Sequence, residues 1–332
     1  MPRNASGDGG DDRTTSPAVS VRQARASDAD AVAAFTADTW EEFEGSDYVP
    51  DVFEQWVATD GDDQHTVVAE RETGSGDGAV VGCCQVARLS AHEAWTQGIR
   101  VHPDHRGSGV GRAMDAACRR WARERGGTVA RNMVFSWNEQ GLATARSLGY
   151  EPRTEFRWAH PDPDADATVP GGGVVGDDDA MVTITDDPDA LWGYWQRSDA
   201  REALGGLALD PVETWALSEW TRERARETAG EGAVFALQRD GTTGVAWRTR
   251  VSEREDGDWA EYGGAGWETL ADARALFGAI ARDAAAVGAD RVRVLIPETP
   301  RHVSDAAAAG VTLADDPDFV FECDLSGGPD AA

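Results

Sequence analysis

The chain has 332 residues with a formal charge of −29, a length that predicts about two domains at roughly 150 residues each. Apolar residues make up 41%, enough for real cores, so global disorder is excluded. All 31 basic residues are arginine, and the acidity is spread over both halves, a pattern suited to a halophile-like surface; it excludes the basic footprint of non-specific nucleic-acid binding and docking on an anionic membrane.

Residues 1–17 have no apolar core of a signal peptide and read as a disordered tail. Val19–Ala24 alternates as a strand, Ser27 is placed to cap a helix over Ala31–Trp40, and Val49–Thr59 is a second helix with Val52, Phe53, Trp56 and Val57 on one face. His65–Arg71 and Ala79–Leu89 form a hairpin around a turn-rich loop, and Trp95–Val101 is the next strand. Cys83 and Cys84 alternate faces in their strand and do not pair with each other. With Cys118 and Cys323 they read as small buried residues in a reducing cytoplasm, and no spacing suggests a metal site. A helix over Gly109–Arg125, a strand over Val129–Phe135, a helix over Glu139–Leu148 and a strand over Tyr150–Trp158 complete the first half.

Residues 160–179 are rich in Pro, Gly and Asp and read as a linker. The same element order then returns. Met181–Thr185 is a strand, Ala190–Leu204 and Pro211–Thr228 are helical, and Ala233–Asp240 with Thr243–Ser252 is a hairpin. Trp259–Gly266, Leu270–Val287, Arg291–Ile296, Ser304–Ala309 and Phe319–Asp324 follow as strand, helix, strand, helix and strand. Hairpins followed by a βαβα segment predict an α+β fold with a mixed sheet covered by helices, and the repeat predicts an internal duplication. The expected division is a tail (1–17), a first domain (18–159), the linker (160–179), a second domain (180–326) and a tail (327–332).

The segment most informative about chemistry is Val101–Arg112, VHPDHRGSGVGR. Pro103 ends the strand, and Gly107, Gly109 and Gly111 allow close backbone approach to a ligand. The helix that follows offers unpaired N–H groups and a positive dipole end, which together suit an anion. Arg106 and Arg112 add charge at its mouth. The absence of lysine excludes a P-loop, and the GxGxG spacing after a fourth strand is a poor dinucleotide fingerprint.

Val101, Pro103, Arg106, Gly109 and Gly111 resemble the cofactor loop of the GNAT acetyltransferase superfamily. Phe135–Asn138 and Ser147–Tyr150 resemble the segments that follow in that family, so the resemblance covers about residues 19–158. It implies the GNAT acyl-CoA N-acyltransferase fold, in two tandem GNAT-like domains, with acetyl-CoA as co-substrate. Backbone groups of Ile99, Arg100 and Val101 are then expected to pair with the pantetheine arm. Amides of Arg106, Gly107, Ser108, Gly109, Val110, Gly111 and Arg112 are expected to hold the pyrophosphate. Asn138 is expected on the cofactor arm, or as a helix N-cap, and the Val101 N–H is expected to polarise the thioester.

The resemblance implies direct attack by a primary amine, on a small molecule or a protein. Glu93 is the expected general base, with His92 and Gln97 as alternatives. Glu41, Glu42 and Glu44, among aromatics, are candidate contacts to a cationic acceptor. Ala145 stands where many family members carry a tyrosine acid, and Tyr150 reads as core. The second half carries Glu268 in place of the loop and reads as a degenerate copy without cofactor. The rival function is a non-catalytic acyl-CoA sensor or partner-binding module. Nothing in the sequence specifies an oligomeric state or a particular amine.

Overall fold

The computed structural model describes residues 19–37, 39, 47–71, 78–168, 182–254 and 256–327. Packing divides the chain into two compact units that do not follow its two sequence halves. Unit 1 is Met1–Gln85 with Gly98–Cys118, and unit 2 is Val86–Gln97 with Arg119–Ala332. Two strands and one helix run from one unit into the other.

Unit 1 holds β1 (Val19–Gln23), α1 (Ala29–Thr36), α2 (Val49–Thr59), β2 (Gln64–Arg71), most of β3 (Ala79–Arg88), the end of β4 (Glu93–Val101) and the start of α3 (Val110–Glu124). Strands β1 to β4 pair in sequence order. The first helix starts at Ala29, two residues before the expected body. Asp28 precedes it, and its carboxylate accepts from Arg25 N at 2.8 Å and from the Arg22 guanidinium. Val32, Phe35, Val49, Phe53, Val68 and Cys83 form the core. Asp47 is buried, accepts from Val49 N at 3.0 Å, and takes Arg100 through Nε at 2.6 Å and Nη2 at 3.0 Å. The Arg100 side chain therefore ties the start of α2 to β4.

Unit 2 begins with the remainder of those elements and adds β5 (Val129–Phe135), α4 (Glu139–Ser147), β6 (Glu151–His160) and β7 (Thr183–Thr185). It continues through α5 (Pro188–Trp195), α6 (Asp199–Ala203), β8 (Leu207–Leu209), β9 (Leu217–Glu219), α7 (Arg222–Gly230), β10 (Val234–Gln238) and β11 (Thr242–Arg254). The chain closes with β12 (Gly257–Trp267), α8 (Leu270–Ala286), β13 (Arg291–Pro297), α9 (Pro300–Ala308), β14 (Thr312–Leu313) and β15 (Asp318–Asp324).

The sheet order in unit 2 is β4-β5-β15-β6-β13-β12-β11-β10-β7, with β14 on β6 and a separate β8–β9 pair. Pairs β4–β5 and β12–β13 are parallel, and the others are antiparallel, so the sheet is mixed as expected. The last strand of each sequence half is exchanged: β15 lies between β5 and β6, and β6 lies between β15 and β13. Cys83, Cys84, Cys118 and Cys323 are buried thiols.

The predicted helix over Pro211–Thr228 is corrected to a strand pair followed by a shorter helix. Buried Asp210 accepts from Val212 N and Glu213 N, both at 2.9 Å, and from Ser218 Oγ at 2.7 Å. Such an aspartate stabilises a turn in competition with helix. Trp215 then takes φ 68°, which no helical residue adopts. Thr221, not Asp210, caps the helix that follows, accepting from Arg224 N. The predicted helix over Ala190–Leu204 is likewise two helices, broken where Ser198 caps the second.

Candidate functional site

Pro103 ends β4 and opens a single 3-10 turn over Pro103–His105, after His102 Nδ1 accepts from Asp104 N at 3.2 Å. Ser108 Oγ donates to His105 O at 2.6 Å and closes the loop on itself. Gly107 has φ 71° and Gly109 φ 86°, a region that costs an L-residue roughly 1–2 kcal/mol. A Cβ on either would meet nothing within 4 Å, so the space in front of both is open. At Gly111 a Cβ would only touch Ile99 Cδ1 at 3.7 Å and Val101 Cγ2 at 3.8 Å.

Gly109 stands where α3 would be capped and has no side chain to do it. The first bond of the helix runs from Ala113 N to Gly109 O at 3.0 Å. The amides of Gly107–Arg112 ahead of it have no i−4 carbonyl to take and, except at Val110, belong to exposed or half-exposed residues; the Arg106 amide, expected among the anion's donors, is instead bonded to Pro103 O at 3.3 Å. Arg106 is exposed and reaches Val101 O only at 3.4 Å. Arg112 is exposed in the first turn. The loop therefore combines unused donors, two cations and open space, the requirements of a pyrophosphate. Val110, Met114, Cys118, Trp121 and Ala122 recur on one face and bury α3, which fixes where its first turn points.

The corresponding helix of the second half is closed. Thr269 caps α8, its Oγ1 accepting from Asp272 N at 3.2 Å while the Asp272 carboxylate accepts from Thr269 N at 3.1 Å. Arg239 Nε, at 2.9 Å, and Thr243 Oγ1, at 3.1 Å, fill Asp272 further. A carboxylate of the protein thus occupies the donors that an anion would need.

In unit 2 the ladder between β4 and β5 is recorded only from Glu93 to Trp95. Asn138 caps α4, Oδ1 accepting from Gly141 N at 2.8 Å. Ala145 is buried. Tyr150 is fully buried and its hydroxyl meets Thr96 Oγ1 at 3.1 Å, which makes it a core residue. Glu41, Glu42 and Glu44 lie outside the described residues.

Glu93 departs from the role expected of it. It is 2% exposed, accepts from Arg131 Nη1 at 2.6 Å and from Glu219 N at 2.8 Å. Burial works against its charge, but the Glu219 amide and Arg131 outweigh it and hold the carboxyl below its ordinary range. A carboxylate so engaged is a poor proton acceptor. His92, also considered, is half-exposed near Glu219 at 3.8 Å.

Gln97, two residues from Trp95 on the same face, donates through Nε2 to Glu213 Oε1 at 2.9 Å. Burial raises Glu213, and the charge of Asp210 adds to this, against Gln97 and Arg250. A half-buried carboxyl whose pKa is raised holds a proton more tightly than an ordinary carboxylate, which suits a proton acceptor. Glu213 and Trp215 were hidden inside the expected helix; Asp210–Pro211 was the signal that could have found them. Trp195, Trp220, Trp247 and Trp267 are buried in the core. Trp247 is fully buried, stacked on Trp220 at 4.3 Å and edge-on to Trp195 at 5.1 Å. Trp215 is 37% exposed and edge-on to Phe135 and Trp158.

No helix among the described residues is long and apolar enough to cross a membrane. The model of the family described as Acetyltransferase (GNAT) family matches residues 30–150. No curated protein matches the chain. Among solved structures, a GCN5-related N-acetyltransferase from Sphaerobacter thermophilus is 16% identical, with 94% of this chain and 97% of that one covered and a TM-score of 0.56. The GCN5-related glucosamine N-acetyltransferase region of a fungal multi-domain β-N-acetylglucosaminidase is 14% identical, covering 94% of this chain and 39% of that one, with a TM-score of 0.58. A tandem GNAT protein from the clavulanic acid biosynthesis pathway is 17% identical over 94% of this chain and 100% of that one, at a TM-score of 0.48.

Proposed function

From a chain that belongs to the acetyltransferase (GNAT) family through residues 30–150 and has the GNAT fold, we propose an N-acetyltransferase that moves an acetyl group from acetyl-CoA to a primary amine. The observation that carries this reading is the open space at Gly107 and Gly109 ahead of the uncapped first turn of α3. There the amides of Gly107–Arg112 hold the pyrophosphate, with the Arg106 and Arg112 side chains screening its charge; the Arg106 amide, bonded to Pro103 O, takes no part. Backbone groups of Ile99, Arg100 and Val101 pair with the pantetheine arm as an added strand. The Asn138 carboxamide caps α4 through Oδ1 and meets the arm through Nδ2. The co-substrate supplies a thioester, an acyl group already activated toward amines.

The Val101 N–H is the donor for the developing oxyanion, and orientation of the amine supplies much of the rate, on the order of several kcal/mol. Attack is direct, in a ternary complex. Glu213, held by Gln97, takes the proton of the ammonium in place of Glu93. The two sequence halves, 18–159 and 180–326, are two tandem GNAT-like copies, of which the second has closed its anion site with Asp272 and gives Glu213 to the acceptor side.

The test is thiol release over a panel of amines at molar salt, with acetyl-CoA calorimetry beside it. Glu213→Gln lowers kcat at every pH on the acid limb and leaves acetyl-CoA affinity unchanged. Binding without thiol release from any amine refutes turnover; absence of binding refutes the cofactor site as well. The buried Ala145, at the position of the family's usual acid, favours a second reading, an acyl-CoA sensor without turnover, and the same pair of assays separates the two.

A further inference from the structure

On the unit 2 sheet, Arg250 and Glu261 are register partners across β11 and β12, as are Glu261 and Arg293 across β12 and β13. Glu261 is fully buried, and its oxygens take Arg250 Nε at 2.8 Å, Arg293 Nη2 at 3.0 Å, Ser252 Oγ at 2.8 Å and the Arg254 guanidinium. Burial alone would raise Glu261, but Arg293 and Arg250 outweigh it and bring it to about 2, so it is ionised. Its negative charge faces three guanidinium groups, and the buried Asp318 carboxyl, pushed up to about 7, also lies within the field of Arg293. In a chain carrying −29, this cluster keeps an excess of positive charge in its interior.

Two N–H groups of that cluster, Arg250 Nη2 and Arg293 Nε, are buried with no hydrogen-bond partner among the described residues. Such donors are costly to leave unmade. Arg293 is 2% exposed, and burial depresses it to about 10 despite Glu261, as expected of a cation with too little countercharge. Its guanidinium lies between two indoles, 4.3 Å from the Trp158 ring centre and 4.4 Å from that of Trp215. Trp158 sits within a strand and is buried. Trp215 is the exposed one, and its φ of 68° is strained for a bulky residue. The cation is therefore covered on one side by a ring whose own backbone is strained and which borders solvent. Glu213, two residues earlier in the chain, lies within the field of Arg250.

We propose that Trp215 is a movable cover over a carboxylate site, and that the acceptor is an amino acid whose carboxylate bonds Arg250 Nη2 and Arg293 Nε while its amine faces Glu213. The proposal rests on the transferase reading above and names its substrate class. A cation pair and a carboxyl held in one network match the two ends of an amino acid. Trp215, edge-on to both Phe135 and Trp158, completes with them a wall for an apolar side chain.

Calorimetry of the full chain with coenzyme A, at molar salt, compares L-phenylalanine, phenethylamine and the aminophosphonate analogue of phenylalanine. Surface attraction is screened in that medium and a buried pair much less. Phenylalanine is expected to bind about 100-fold tighter than phenethylamine, the worth of two charge-assisted bonds. Arg250→Lys, which keeps the charge and loses the fork, reduces that ratio about tenfold without altering phenethylamine binding. Trp215→Gly, which relieves the strained φ, folds at least as well as the native chain and also reduces the ratio. Equal binding of phenylalanine and phenethylamine overturns the proposal, as does tighter binding of the phosphonate. Thiol release with phenethylamine but not phenylalanine overturns it and leaves the transferase reading standing. Selective binding of phenylalanine with no thiol release from any amine supports the site and refutes only turnover.

Discussion

Replacing Gly109 by alanine and by glutamate separates the charge of the loop from its shape. A Cβ at this position meets nothing within 4 Å, so neither side chain collides with the protein. Both variants bear the same backbone cost at φ 86°, roughly 1–2 kcal/mol. In a chain of this size that cost appears as a fall of a few degrees in Tm, about 2–4 °C per kcal/mol. Only glutamate adds a carboxylate facing the pyrophosphate. At a separation of about 5 Å, with an effective dielectric between about 20 and 80, each phosphate charge repels it by roughly 1–3 kcal/mol. Two such charges together amount to roughly 2–6 kcal/mol and lower acetyl-CoA affinity relative to alanine by about 30-fold at the least and up to about 10,000-fold. Calorimetry with acetyl-CoA reads the difference, and thermal melts confirm that both variants remain folded. Glutamate binding as tightly as alanine refutes the reasoning, because it places the pyrophosphate elsewhere.

Glu93→Gln removes the buried partner of Arg131, leaving it Glu322 and the more distant Glu219 carboxylate, and is expected to cost about 3 kcal/mol in urea unfolding at pH 7. Because folding depresses this carboxyl, the native advantage is present above the ordinary carboxylate pKa and is lost as pH falls through the lower folded value; a cost that grows toward acid contradicts the assignment. Tyr150→Phe loses the contact to Thr96, about 1 kcal/mol of stability, with kcat unchanged; a fall in kcat of two decades would make the hydroxyl a participant in the chemistry. Burial pushes Asp318 up to about 7, so its protonated form is favoured by folding, and the stability it lends below the ordinary carboxylate range disappears as pH rises through 7. Asp318→Asn should therefore raise Tm at pH 8 and lose that gain near pH 4, as differential scanning at the two pH values will read.

Local pattern made much of this molecule legible. Val49–Thr59 and Val129–Phe135 begin and end where their apolar spacing predicts, because helix and strand periodicity is set by immediate neighbours. The geometry of the glycine loop ahead of α3 was legible for the same reason, since its glycines and its helix start are contiguous. The surroundings of the residues proposed for the acceptor were not. Glu93 reads as a strand-end carboxylate until Arg131, on the parallel neighbour, and the Glu219 amide are brought to it by tertiary pairing. Glu213 and Trp215 were lost to a helical reading that a single buried aspartate, Asp210, overrides. The excess of arginine around Glu261 is spread over β11, β12 and β13, strands whose adjacency is set by pairing and not by chain order.

The exchanged last strands have a consequence for how the protein is made. Asp318 lies opposite both Phe135 and Phe156, so β5 and β6, made early, are joined through a strand close to the end of the chain. A ribosome delivering some 5–20 residues per second exposes those two strands for many seconds before their spacer emerges. During that interval each presents an open ladder to any passing edge, a hazard for a nascent chain. The joining of β5 to β6 is thereby deferred until β15 has emerged, whereas the core of unit 1 lies entirely in earlier segments.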